Sequence, residues 1–199
     1  MPDEASLAAY SARATEYIDR LGSMSSVHPS DLQIVSTWAL DVDGDLIDAG
    51  CGPGQWTNFL TQLGVSARGI DRVPEFIAHA ATAFSAANFA IESLDSIEAD
   101  THSVGGILSW YSLIHYEPRA IQVPLREFDR VIKPGGALLV GFFEGPEVEK
   151  FAHAVAPAYR WSVDAISAEL DRAGFDVLET LVRKTAGQRP QAALSARRR

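Results

Sequence analysis

The stretch Leu46-Ile47-Asp48-Ala49-Gly50-Cys51-Gly52-Pro53-Gly54-Gln55-Trp56 decides how the rest of the chain is read. A short run suited to a buried strand contains an acid; three glycines follow at alternate positions, and a helical pattern begins at once. Glycine is needed where the backbone takes a positive φ or must come into contact with a ligand, and a helix start offers unsatisfied N–H groups. One glycine would serve a tight turn, so three predict close ligand approach at Gly50, Gly52 and Gly54. A dinucleotide-binding loop has glycines spaced G-x-G-x-x-G, whereas here Gln55 stands three residues after Gly52. A P-loop needs Gly-Lys-Ser/Thr, and no lysine is near. Asp48 would repel a pyrophosphate and suits a cationic amine. Asp71 ends the next strand-like run, Arg68-Gly69-Ile70-Asp71, 21 residues beyond Gly50, where a carboxylate can accept both hydroxyls of a ribose. Together these landmarks ask for a nucleoside without phosphates and with a positive, amino-acid-like end.

Outward from this segment, apolar runs alternate with amphipathic stretches, the pattern of an α/β layered fold. Strands are expected at Leu46–Ala49, Ala67–Ile70, Asn88–Ile91, Val104–Trp110, Ala137–Phe143, Phe175–Arg183 and Ala192–Ala196. The middle three are short and nearly all apolar, as for strands buried on both faces of a parallel sheet. Helices are expected at Gly54–Leu63, Pro74–Phe84, Arg119–Ile132 and Val163–Ala173. Ser162 is placed to cap the last of these and Gly174 to stop it, while Lys133-Pro134-Gly135-Gly136 turns one helix into the next strand. Thr185–Pro190 is too short for a parallel crossover, so the last two strands must pair antiparallel. Two helical stretches, Pro2–Leu21 and Ser30–Leu40, precede the first strand and are too short to build a core alone; they read as an appended lid.

Composition limits the function. The chain has 199 residues, 47% of them hydrophobic, which suits one domain with one core. Its net charge of −9, from 17 basic and 26 acidic side chains, disfavours nucleic acid as a partner; Arg197, Arg198 and Arg199 make the one small basic cluster noted. A single cysteine, Cys51, leaves no internal disulfide and no Cys-based zinc cluster. The acidic N-terminus lacks the pattern of a secretory signal, and no apolar run reaches the roughly 18 residues of a membrane span. The expected location is the cytoplasm.

Five motifs in order carry a family resemblance. D-A-G-C-G-P-G-Q-W (48–56), G-I-D-R (69–72), S-W-Y-S-L-I-H-Y (109–116), R-V-I-K-P-G-G-A-L-L-V (130–140) and Y-R-W-S-V-D-A-I-S-A-E-L-D-R-A-G-F (159–175) resemble the class I S-adenosylmethionine-dependent methyltransferases, over about Tyr10 to Ala196. The resemblance implies an α/β Rossmann-like three-layer sandwich. Its sheet is mostly parallel, seven-stranded, and ends in an antiparallel hairpin. It accords with a single domain over 1–199, with a helical lid at 1–43 and the core at 44–199. S-adenosylmethionine is the implied cofactor and a small organic molecule, methylated by in-line transfer, the implied partner. Nucleic acid and membrane are not expected partners, and there is room for a homodimer. The alternative is a non-catalytic protein that keeps the S-adenosylmethionine site.

Within that resemblance Asp71 is the ribose acid, with Arg72 beside it. Asp48, Gly50, Gly52, Gly54, the backbone of Cys51, and Trp56 form the first motif. Ser93 and Leu94 would face the adenine, with Asp95 accepting from its amine; Glu92 and Ser93 stand where the family often has glycine and Asp, and Asp95 reads equally as a solvated loop residue. Trp110, at the end of the fourth strand, is expected against the methionine portion. Tyr10 resembles a tyrosine that closes over the methionine carboxylate, or else packs with Tyr17 in the core. His115 and Tyr111 are the candidates for chemistry. A neutral imidazole can take the proton of a hydroxyl acceptor; the alternative is a histidine held structurally in its loop. The acceptor pocket is expected from Tyr10, Tyr17, the Ser23–His28 loop, Tyr111, His115, Phe143 and Pro146–Trp161. The signatures of amino-methylating and cytosine-methylating enzymes are missing, as is the acidic set of metal-dependent catechol-type enzymes, and no metal is expected.

Overall fold

The computed structural model describes residues 4–199; residues 1–3, where the sequence reading begins its first helix, lie outside the described residues. The elements in order are α1 (Glu4–Ala12), α2 (Ala14–Leu21), α3 (Pro29–Asp41), β1 (Leu46–Ala49), α4 (Gln55–Gln62), β2 (Ala67–Asp71), α5 (Pro74–Ala83), β3 (Asn88–Ile91), β4 (Val104–Trp110), α6 (Gln122–Val131), β5 (Ile132–Phe143), β6 (Glu149–Phe151), β7 (Ala158–Arg160), α7 (Val163–Arg172), β8 (Phe175–Arg183) and β9 (Gln191–Arg198). The main sheet runs β3-β2-β1-β4-β5-β9-β8. Its first five strands are parallel, β9 lies antiparallel to β5, and β8 antiparallel to β9. This is the α/β Rossmann-like sandwich that the sequence predicts, with its closing hairpin.

Alternate residues of each central strand point to opposite layers. Leu46, Leu108, Leu139 and Ala193 pack with Val35, Trp38, Trp56 and Leu60 of α3 and α4. Ile47, Ile107, Leu138 and Leu194 pack with Leu125 and Phe128 of α6 and Ile166 and Leu170 of α7. The oxygen of Ser162 caps α7 by accepting from the Ala165 N–H, and Gly174 follows the helix at φ 98°.

Four expectations need correction. Asn88–Ile91 is the edge strand, with Asn88 and Ile91 exposed, because β3 has a neighbour only on the β2 side. Lys133–Gly136 does not separate helix from strand: β5 starts at Ile132, paired with Val104, and the next pairing is Ala137 with Gly106, so the Pro-Gly-Gly run is a bulge inside the strand. The Pro146–Trp161 segment, expected to wall the acceptor pocket, folds into an antiparallel ribbon, β6 with β7, and of its described residues only His153 lines the cavity. Finally, α3 is built into the sandwich through Val35, Trp38 and Ala39 and is not an appendage. Only α1 and α2, which break at Arg13, sit apart, on a small cluster with Val73 and Phe76.

The three glycines of the first loop all have positive φ, at 79°, 53° and 90° for Gly50, Gly52 and Gly54, but for different reasons. A Cβ on Gly50 would collide with the Ser112 side chain, and one on Gly54 would lie 2.7 Å from Ala80 Cβ and 2.8 Å from Phe89 Cε1. Gly54 therefore serves packing between α4, α5 and β3, and the space beside it is already filled. Only at Gly52 is the space open, the nearest atom being Tyr17 Cε1 at 3.9 Å. Gly54→Ala combines left-handed strain with overpacking and should cost about 2–4 kcal/mol of stability, read as a lower midpoint in denaturant titration.

Candidate active site

The carboxyl ends of β1, β2 and β4 open on a cavity of about 630 Å³. At its acidic end Asp48 is fully buried, and its Oδ2 accepts from Thr57 Oγ1 at 2.7 Å. Burial, with the charge of Asp71 adding to it, pushes the Asp48 carboxyl up to about 7, against the pull of the Thr57 hydrogen bonds. Asp71 Oδ2 accepts from the Gly52 N–H at 2.9 Å and Oδ1 from the Val73 N–H at 2.9 Å. Burial raises the Asp71 carboxyl too, while the N–H groups of Val73, Gly52 and Arg72 and the Arg72 charge pull it down. Two neighbouring acids at one end of a cavity suit a cationic ligand. Gln55, at the first turn of α4, also lines the cavity, and its Oε1 is buried with no hydrogen-bond partner among the described residues. A ligand ammonium or hydroxyl would satisfy that oxygen.

Leu94, Ile114 and Tyr116 line the same cavity together with Arg72 and Val73. Ser93 and Asp95 do not. Ser93 Oγ accepts from the Asp95 N–H at 3.2 Å, and Asp95 Oδ1 accepts from the hydroxyl of Tyr116 at 2.7 Å. Asp95 therefore stands behind the wall and fixes the buried Tyr116, rather than facing an adenine amine. Glu92 is likewise engaged, by Arg68 at 2.5 Å and by the Glu98 N–H.

The other end is aromatic. Trp56 and Trp110 are 5.8 Å apart, Trp110 and Tyr111 5.6 Å, and Tyr111 and Phe143 5.1 Å. Tyr111 has φ 60°, a strained value for an aromatic residue, tied by its N–H to Gly141 O at 2.9 Å. His115 Nδ1 lies 2.8 Å from Pro157 O and its Nε2 2.7 Å from Tyr10 Oη. The hydroxyl of Tyr10 is thus placed on His115, not free to close over a carboxylate as expected. His153, 5.5 Å from His115, is held down to about 4 by burial and the charges of His115 and Arg189.

The cavity residues that the sequence reading missed include, besides Gln55, the polar side chains of Asp31, Arg183, Gln188 and Gln191. Arg183 Nη1 pairs with Asp31 Oδ1 at 2.8 Å and donates to Ser30 Oγ at 3.0 Å; the guanidinium also donates to Gln191 Oε1. Cys51 is buried with its thiol pushed well up by burial, which leaves it inert as a nucleophile. Among the described residues no group of three or more His, Cys, Asp or Glu is placed to hold a metal ion, and no helix is long and apolar enough to cross a membrane.

Residues 46–136, from β1 into β5, match a family model described as a methyltransferase domain. Over that segment the chain is similar to a methyltransferase domain. The chain is 28% identical over 141 residues to the ubiquinone biosynthesis O-methyltransferase of Xanthomonas oryzae pv. oryzae (strain PXO99A), a match that covers 66% of this chain and 57% of that protein. The match thus spans little more than half the length of that curated relative. The ribosomal RNA large subunit methyltransferase E of Archaeoglobus fulgidus is 27% identical over 142 residues, 65% of this chain and 73% of that one. The crystal structure of Burkholderia thailandensis 1,6-didemethyltoxoflavin-N1-methyltransferase, with 1,6-didemethyltoxoflavin and S-adenosylhomocysteine bound, shares the fold at a TM-score of 0.76 with 18% identity, over 96% of this chain and 88% of that one.

The raised value at Asp48 has a consequence for stability. In the unfolded chain its carboxyl ionises near 3.8, whereas in the folded protein it ionises near 7, so its contribution is full below the lower value and is lost as pH climbs to the higher one. Asp48→Asn should therefore raise the melting temperature of the ligand-free protein by a margin that grows from pH 4 to pH 7 and then levels off. Calorimetric melts across that range check this.

Proposed function

We propose that this methyltransferase moves the methyl group of S-adenosylmethionine to a small, flat organic acceptor. The observation that carries the reading is the continuity of one cavity from the acids at Asp48 and Asp71 to the rings of Tyr111, Phe143 and His153. Asp71 holds the ribose: its carboxylate already meets the N–H groups of Gly52, Val73 and Arg72, and it has room for about four such bonds. Asp48 and the Gln55 oxygen face the ammonium end, Gly52 gives the close approach, and Leu94, Ile114 and Tyr116 flank the base.

The cofactor, when bound, supplies a methyl carbon on a cationic sulfur, so the protein's own tasks are orientation and exclusion of water. Trp110 and Tyr111, the latter fixed by its strained backbone, bound the junction between the two halves of the cavity. Phe143 and His153 offer faces to a planar acceptor, and His115 stands where an acceptor proton would leave. Helices α1 and α2 close the top, which supports their reading as a lid over residues 4–21.

A small acceptor is favoured over RNA by the acidic surface and by the fate of the C-terminal arginines: Arg198 pairs with Asp129, and Arg199 with Asp171 and Asp176. A phosphate backbone would find these charges already engaged. Incubation with methyl-labelled S-adenosylmethionine and a fractionated metabolite extract should place label in a small-molecule fraction; tight binding without transfer to any fraction would point to the non-catalytic alternative. Asp71→Ala should weaken S-adenosylmethionine binding by tenfold or more in calorimetry, since charge-assisted bonds contribute about 1.5–3 kcal/mol. Unchanged affinity would remove Asp71 from the site.

A further inference from the structure

We propose that Tyr10 keeps a substrate's place: the acceptor is a phenol, whose hydroxyl displaces that of Tyr10 from His115 Nε2. The proposal rests on the methyl-transfer reading and names the acceptor chemistry within it. Pro157 O can only accept, so the hydrogen on its 2.8 Å bond belongs to His115 Nδ1. In the neutral ring Nε2 then carries the lone pair, and Tyr10, 2.7 Å away, donates to it. The two rings meet edge-on, centroids 5.3 Å apart at 74°. A phenol O–H therefore already sits on the nitrogen lone pair that a general base at this position would use.

The two anchors of His115 differ in strength of attachment. Pro157 lies in the loop between β6 and β7, next to the buried Ala156 and Ala158. Tyr10 lies on α1, whose only buried residue is Ser6. A helix with so little buried surface opens cheaply, so the Nε2 partner can be exchanged while the Pro157 bond keeps the ring oriented. Burial, with the charges of Tyr17 and Asp71, holds the Tyr10 hydroxyl far above its usual range, so Tyr10 stays a donor and cannot become the nucleophile. An incoming aromatic ring would lie beside His153 and Phe143, whose centroids are 6.0 Å apart.

The step balances with the groups named. As the phenol oxygen's electron pair forms the bond to the methyl carbon, the carbon–sulfur pair returns to sulfur, and the phenol proton leaves on Nε2 and passes to water. The aryl methyl ether has no hydrogen left to donate. It loses its hold on His115, and the Tyr10 hydroxyl returns.

The test uses binding rather than turnover. With S-adenosylhomocysteine bound, 4-methylphenol and its methyl ether 4-methylanisole are titrated by calorimetry into the parent protein and into Tyr10→Phe, which keeps the ring and removes the competing hydroxyl. Expected are tighter binding of the phenol than the ether by about fivefold, the weight of one hydrogen bond, and a further gain of similar size for the phenol alone in Tyr10→Phe. Nitrogen-15 spectra should show His115 protonated at Nδ1, with the Nε2 signal moving on addition of the phenol only. Equal binding of the two probes, no measurable binding of the phenol, or a phenol affinity untouched by Tyr10→Phe overturns the proposal. Failure of the parent protein to bind S-adenosylhomocysteine overturns instead the methyl-transfer reading beneath it.

Discussion

The carboxylate of Asp71 ties together two pieces of backbone that the sheet alone leaves apart. One oxygen takes the N–H of Gly52, in the loop after β1, and the other that of Val73, at the start of α5. The loop's path depends on this tie, because Gly52 at φ 53° has no side chain with which to anchor itself. Gly50 and Cys51 add to it by donating to Ile70 O at 2.8 and 2.9 Å. The end of β2 thus shapes the floor of the cavity, and the group that does so is the one proposed to grip the ribose. Both oxygens are thus committed to shaping the loop, each through a backbone N–H.

From that floor the cavity changes character along its length. Near Asp71, acids and buried hydroxyls dominate, and Tyr17 is pushed up to about 12 by burial and by the charge of Asp71. Further along, charge appears only in compensated form: Asp31 is paired with Arg183, both side chains being largely buried, and His153 is kept from protonating. An unpaired negative region running into a neutral, ring-lined one is an arrangement in which a cation and a flat neutral molecule each have a preferred end.

The parts of this arrangement that were legible in the sequence are those written in neighbouring residues. The strand-glycine-helix run and the Asp that ends the next strand announce themselves within 25 or so positions, and the short 185–190 connection dictates the closing hairpin. What pattern could not show is which neighbour each residue meets. Three alternate glycines looked alike, yet Gly50 makes room for Ser112, Gly54 for Ala80 and Phe89, and only Gly52 leaves space. Asn88–Ile91 has the apolar content of a buried strand but lies at an edge. Asp31 and Arg183, 152 residues apart, meet only because β8 comes back beside α3, and nothing local to either residue signals the pair. Asp95 read equally as a ligand contact and as a solvated loop residue, and nothing local signalled that it would instead accept from the Tyr116 hydroxyl.

The closing hairpin divides the labour of building the cavity. β9 lies inside the sheet, between β5 and β8, although it follows both in the chain, so this half of the sheet is completed by long-range pairings that form slowly. Arg183, Gln188 and Gln191 belong to that hairpin, whereas Asp48, Gly52 and Asp71 come from the early strands. The cavity is therefore lined from two parts of the chain that are far apart in sequence. Loosening the hairpin would open the Arg183 side of the cavity while the Asp48–Asp71 floor, built on parallel pairings of β1 with β2 and β4, stayed in place.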